Sequence, residues 1–224
     1  MAGQCCSAED QQAGSDATNI NNIQAISNQL DTLYSLPSSA NEQYFSVDKD
    51  VNNNYTPSAF NGGSQSNASG NVGPNLYTDF HNHPSGNPPS TQDIIRLGGV
   101  VGGLSPNQVA SFTIAPDGTA YGLVVVDEAK LETFWNANNN AVDSNNGWNP
   151  NSNIGQEHSK VFNDFYDPPS VSYQEAYARA TAFILKESGL ILVKKDTNST
   201  TFKKIGTNKE TTGGTDTYKE SDCN

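Results

Sequence analysis

The 224-residue sequence predicts an α/β fold. Two observations carry that expectation, and a third bounds it. Apolar residues recur at helical spacing in some segments and alternate at strand spacing in others, and the two kinds interleave along the chain. Breakers separate them: Pro37, the turn Pro116-Asp117-Gly118 and Gly189 each close a patterned run. No stretch of 18 or more apolar residues occurs, so no segment reads as a membrane span.

Taken in order, residues 1–17 are polar, without Lys, Arg or an apolar run, and read as a disordered tail rather than a signal peptide. Ile20, Ile23, Ile26, Leu30 and Leu33 then predict one amphipathic helix, closed by Pro37. Residues 41–47 alternate Phe45 and Val47 with polar neighbours, a strand pattern. Residues 52–73 are rich in Asn, Ser and Gly and predict loops or a weak hairpin. Residues 76–83 (LYTDFHNH) read as a strand running into the turn-rich PSGNPPS. Ser90 to Asp93 opens a helix carrying Ile94, Ile95 and Leu97, ended by the glycine pairs at 98–99 and 102–103.

Residues 109–115 and 119–126 form a hairpin about the Pro-Asp-Gly turn, and 127–136 a helix anchored by Leu131, Phe134 and Trp135. Residues 138–153 are Asn-rich and predict a surface loop. Ser172 and Glu175 make a capping box for a helix through Leu185, and 190–193 with 201–205 a last hairpin. The expected organisation is a tail (1–17), a main domain (18–140), an Asn-rich linker (141–170), a small αββ subdomain (171–206) and a second tail (207–224).

Acidic side chains outnumber basic ones 24 to 12, a net charge of −12. That balance argues against a protein that grips phosphate backbones or anionic lipid, so no nucleic-acid partner is expected. Cys5, Cys6 and Cys223 sit at the chain ends without zinc-knuckle or redox spacing, and read as tail thiols with no catalytic role. An oxidising compartment would allow Cys223 to bridge Cys5 or Cys6.

One segment stands apart in chemistry: His81-Asn82-His83-Pro84, five residues, then Ser90-Thr91-Gln92-Asp93. Residues i and i+2 of a strand share a face, which sets the two imidazoles side by side. The tight turn returns Asp93, in the first turn of the next helix, toward them. Two nitrogens and a carboxylate oxygen suit Zn²⁺ and leave a fourth position open. Ser90 and Asp93 also form an ordinary helix-capping box, which is compatible with ligation because a cap would orient the carboxylate. Asp79 lies on the His81 face and is either a partner that fixes a histidine tautomer or a surface residue. His158 has no partner pattern and is expected at the surface; Trp135 and Trp148 are expected to be core and loop anchors. The string His-Asn-His does not make an HNH nuclease, whose residues are spread over a ββα-metal fold, and the chain lacks a basic patch.

The pattern His81-x-His83-Pro84, a short spacer and Ser90-x-x-Asp93 resembles the JAMM (MPN or JAB) zinc metallopeptidases. The string HNHPSG is especially similar to the bacterial RadC-type members. The resemblance implies a mixed, curved sheet flanked by helices; the C-terminal αββ piece is expected to pack on that sheet as an extension or to form a subdomain. It implies Zn²⁺ held by His81, His83 and Asp93, and Ser90 as a hydrogen-bond donor to the tetrahedral intermediate. The family places a general base, a glutamate, upstream. Of Glu9 and Glu42, the only glutamates before His81, Glu42 follows an amphipathic helix and opens a strand, where the family has its base. The implied activity is hydrolysis of a peptide or isopeptide bond in a protein or peptide substrate. Other roles consistent with the resemblance are a non-hydrolytic binding or scaffold module, and an effector domain of a larger secreted bacterial protein. Neither a cytoplasmic nor a secreted setting is favoured.

Overall fold

Fixed side-chain alternation on each strand divides one sheet into two unlike faces, and that division places the site. The computed structural model describes residues 6–65, 73–97, 105, 107–143, 147–167 and 171–222. Helix α1 (Ala8–Asn21), a 3₁₀ turn (Gln24–Ile26) and α2 (Ser27–Tyr34) precede strands β1 (Gln43–Lys49), β2 (Tyr55–Pro57), β3 (Asn61–Gly62) and β4 (Leu76–Asn82). Helix α3 (Thr91–Leu97), the hairpin β5 (Ala110–Ile114) and β6 (Ala120–Val125), and α4 (Glu128–Ala137) follow. Then come α5 (Asn153–Tyr166), α6 (Tyr173–Ile184), β7 (Leu190–Lys195), β8 (Lys203–Lys204), β9 (Thr207–Thr212) and β10 (Thr215–Glu220).

The main sheet has eight strands in the order β2-β1-β4-β5-β6-β7-β8, with β3 also on β1; β9 and β10 form a separate hairpin. Among the described strands only β4 and β5 run parallel, so the sheet is mixed. A parallel pair needs a crossover, and α3 lies on it. Among the described residues, no helix is long and apolar enough to cross a membrane.

One face carries Phe45, Val47, Phe80, Phe112, Ile114, Val124 and Val193, covered by Ala13, Ala17, Ile20, Ile26, Leu30 and Leu33 of the N-terminal helices. Phe45, Phe80 and Phe112 stack across three neighbouring strands, at centroid separations of 5.0 and 4.8 Å and interplanar angles of 10°. The other face buries Tyr121, Leu123, Leu190 and Leu192 against α3, α4 and α6. Under β1, β4 and β5 that second face turns polar: Tyr44, Ser46, Asp79, His81, Ser111 and Thr113 are all buried there.

Several expectations are corrected. The stretch 1–17 is not a disordered tail over its described part, because Ser7 and Asp10 make a capping box that starts α1. Ala13, Ala17 and Ile20 then seat that helix, at a spacing that small residues disguise. The single helix expected from Ile20 to Leu33 is broken by the 3₁₀ turn after Asn22. The linker 141–170 contains α5, capped by Ser152 and buried through Val161 and Phe165; its apolar positions are few but share one face. Of the two arrangements expected for the αββ unit, the subdomain is not the one found: β7 pairs with β6 over its whole length and, with β8, extends the main sheet. Gly189, at φ +83°, makes the return into β7 where a Cβ would meet the Asp127 carbonyl at 2.1 Å. The tail 207–224 holds the β9–β10 hairpin. It is tied down by buried Arg179, which forms an ion pair with Asp222 and donates to the Gly206 carbonyl at 2.9 Å. Cys6 is disulfide-bonded rather than a tail thiol. Cys5, Cys223 and the glycine pairs at 98–99 and 102–103 lie outside the described residues.

Candidate metal centre

Strand β4 delivers His81 onto the polar face, and His83 follows where the chain leaves the strand. His83 stays in line with the sheet because its N–H donates to the Ile114 carbonyl at 2.9 Å. The turn tightens at Gly86, whose φ of +73° is left-handed, and whose N–H donates back to the His83 carbonyl at 2.8 Å. Ser90 then caps α3. Asp93 Oδ2 accepts from both the Ser90 amide and the Ser90 hydroxyl at 2.7 Å, and Ser90 Oγ accepts from the Asp93 amide at 3.3 Å. The capping role and the convergence on the histidines therefore coexist.

The donor set is close. His81 Nε2 lies 3.0 Å from His83 Nε2 and 3.3 Å from Asp93 Oδ1, and His83 Nε2 lies 3.5 Å from Asp93 Oδ2. Counting one ligand atom per residue, the three lie within 4.8 Å of one another. Tetrahedral zinc with ligands at about 2.0–2.1 Å has ligand–ligand edges of roughly 3.3–3.4 Å; the His81–His83 and His81–Asp93 Oδ1 separations come close to that, while the 3.5 Å approach of His83 is to the other carboxylate oxygen. Because Ser90 holds Oδ2, Oδ1 is the oxygen left for a metal.

The histidine tautomer is also determined. His83 Nδ1 faces the Asn87 carbonyl at 2.9 Å. A carbonyl only accepts, so Nδ1 carries the proton and the Nε2 lone pair of the neutral ring points to the centre. Burial opposes a charged imidazolium at His83, yet the Asp93 carboxylate beside it holds its pKa above the ordinary value. Burial likewise opposes ionisation of Asp93, but His81 and His83 outweigh it and hold its carboxyl well below the usual range. With both rings neutral, two imidazole lone pairs and one carboxylate make a donor set of charge −1 suited to a divalent cation.

Asp79 is buried behind the centre, not at the surface. Its carboxylate accepts from Gln108 Nε2 and Ser111 Oγ, each at 2.7 Å. Burial raises its pKa. A cavity of about 20 Å³ lined by Asp79, His81, Asp93, Arg96, Leu97, Gln108 and Ser111 separates it from the ligands and has room for one water molecule. No direct hydrogen bond from Asp79 to His81 is seen.

Glu42 is buried just before β1. Tyr44 pairs with His81 in the β1–β4 ladder, so Glu42, two residues earlier, shares the histidine face. Its charge is among those that bear on His83. Gln43 N–H donates to Asn82 Oδ1 at 2.6 Å, locking the two segments together at this point. The structure thus brings His81, His83, Ser90 and Asp93 together and sets Glu42 on their side of the sheet.

His158 is not on the surface. It is buried between Trp148 and Tyr177, its Nε2 has no hydrogen-bond partner, and burial lowers its pKa to about 4. Trp135 and Trp148 do pack on the second core. The sequence reading missed Gln108, Ser111 and the α6 side chains Gln174 and Tyr177. Gln174 Nε2 donates to Asn87 Oδ1 at 3.5 Å, and the Tyr177 and Thr91 hydroxyls lie 3.3 Å apart. For the α6 pair the sequence signal was the four-residue spacing of Tyr173 and Tyr177; Gln108 and Ser111 had none of their own.

Comparison with known proteins assigns no relative: no family model, curated protein or solved structure matches the chain.

Proposed function

We propose that this chain is a zinc-dependent peptidase or isopeptidase of the JAMM type. The observation that supports it most is the convergence of His81, His83 and Asp93, with neutral His83 presenting a lone pair and Asp93 presenting Oδ1. Bound zinc would supply Lewis acidity that brings the ionisation of water toward neutral pH. Glu42 accepts the proton released by the attacking water and passes it to the leaving nitrogen. Ser90 Oγ–H turns from Asp93 Oδ2 to the oxygen of the tetrahedral intermediate, while the Ser90 amide keeps Asp93 in place. No covalent intermediate with the protein is required.

The test is Glu42→Gln assayed on a peptide library with zinc supplied. The variant is expected to bind one zinc per chain and to lose hydrolysis by roughly 100-fold or more, as removal of a general base does. Hydrolysis equal to that of the parent would remove Glu42 from the mechanism. Zinc binding without hydrolysis in the parent would favour a non-catalytic binding module.

A further inference from the structure

The residue between the two histidines has a use of its own. The β1–β4 ladder ends at the pair Tyr44 and His81. Beyond that pair the chain stays with β5, the His83 amide donating to the Ile114 carbonyl at 2.9 Å. Continued register would set Gln43 opposite Asn82 and Glu42 opposite His83. The Asn82 side chain takes over where the backbone ladder stops. Its Oδ1 accepts from the Gln43 amide at 2.6 Å, and its Nδ2 faces the Asn41 carbonyl at 3.5 Å, the weaker of the two contacts. An amide side chain carries an acceptor and donors in one plane, so it can stand in for a peptide unit.

Glu42 lies between those two contacts. Its own peptide groups are held from the other side. The Glu42 amide donates to the Ser64 carbonyl, and the Gly63 amide donates to the Glu42 carbonyl, each at 2.8 Å. The segment bearing Glu42 is thereby fixed on one flank by residues 63–64 and on the other by the residue that stands between the two imidazoles. Asn82 is 2% exposed. Alternation puts it on the Phe80 face, where an apolar side chain would pack as well, and a buried amide is costly unless paired. Packing accounts for the burial of Asn82 but not for its amide.

We propose that Asn82 is a positioning residue of this site: by clamping the peptide groups on either side of Glu42, it sets the base against the metal ligands. This rests on the peptidase reading above. Asn82 acts through Glu42 and not on the reacting atoms. The stretch that presents His81 and His83 also carries the clamp, so ligands and base keep their relative places. Misplacing a reacting group by about 1 Å can cost about 100-fold in rate, which gives a clamp at this point its leverage.

The experiment compares full-length, zinc-loaded parent, Asn82→Ala, Glu42→Gln and the double variant in three measurements: initial rate on a peptide library, zinc affinity and amide hydrogen exchange. In Asn82→Ala the rate is expected to fall about 10- to 100-fold while zinc affinity stays that of the parent. The Gln43 amide is expected to exchange about fivefold faster, the scale of one lost hydrogen bond. In the Glu42→Gln background the same substitution should lower the rate no further. Asn82→Leu, which has a similar volume and no amide, should behave alike and stands in if the alanine variant does not fold. Exchange at Gln43 equal to that of the parent overturns the clamp. Faster exchange with the parent's rate of hydrolysis, weakened zinc binding, or an equal loss in both backgrounds overturns the positioning role. The peptidase reading fails separately: a parent that binds zinc without hydrolysing removes the enzyme, while exchange at Gln43 still decides the clamp.

Discussion

The two faces of β4 differ by one residue of register and by everything else. Phe80 lies in an apolar stack between Phe45 and Phe112, where any side chain of the right size and shape gains from burial. His81, the next residue, enters a buried polar layer where an unpaired group is costly; Asp79 is held by Gln108 and Ser111, while the Tyr44 and Thr113 hydroxyls have no hydrogen-bond partner. The first face holds the strands together, and the second carries donors that converge to within 4.8 Å of one another.

Disrupting the apolar face should have the largest effect. Phe80→Ala removes the central ring of the stack and is expected to cost about 3–5 kcal/mol in urea unfolding. A loss below 1 kcal/mol would mean that the stack does not hold β1, β4 and β5 together.

The next effect sharpens the contrast on the polar side, away from the metal. His158 is buried with its pKa lowered to about 4 from 6.5, so the unfolded chain binds the proton more readily. The neutral ring's contribution is complete above pH 6.5 and is lost as pH falls through about 4. It amounts to up to about 3 kcal/mol. Between pH 7.5 and 4, the parent should therefore lose more stability than His158→Phe, by up to that amount. Parallel curves of stability against pH for the two proteins would show that His158 does not titrate as described.

The smallest change tests the partner rule directly. Ser111→Ala leaves Asp79 Oδ1 without its 2.7 Å donor in a buried layer, and is expected to cost about 1–3 kcal/mol by the same unfolding measurement. A neutral result would indicate that water entering the adjacent cavity replaces the hydroxyl.

The contrast also explains what the sequence made legible. Strand β1 follows from alternation, β5 and β6 from the Pro116-Asp117-Gly118 turn between them, and the His81-x-His83 and Ser90-x-x-Asp93 spacings are local, so the donor set could be read from one short segment. What escaped depends on distant contacts or weak periodicity. Helix α1 is seated by Ala13 and Ala17, which carry little hydrophobic signal, and α5 by few apolar residues within an Asn-rich stretch. The placement of β7 beside β6, and of Gln108 and Ser111 around Asp79, comes from sheet pairing across intervening segments, which no local pattern encodes. His158 reads as an isolated surface histidine until α6 closes over it.

The central claim is that three side chains on the polar face hold one divalent ion. Crystals of the parent and of Asp93→Ala grown with zinc, and measured at the zinc absorption edge, test it most directly. The account predicts a single strong anomalous peak in the parent, bounded by His81 Nε2, His83 Nε2 and Asp93 Oδ1, and its loss in the variant. A parent map with no peak there, or a variant map with the same peak, would contradict it.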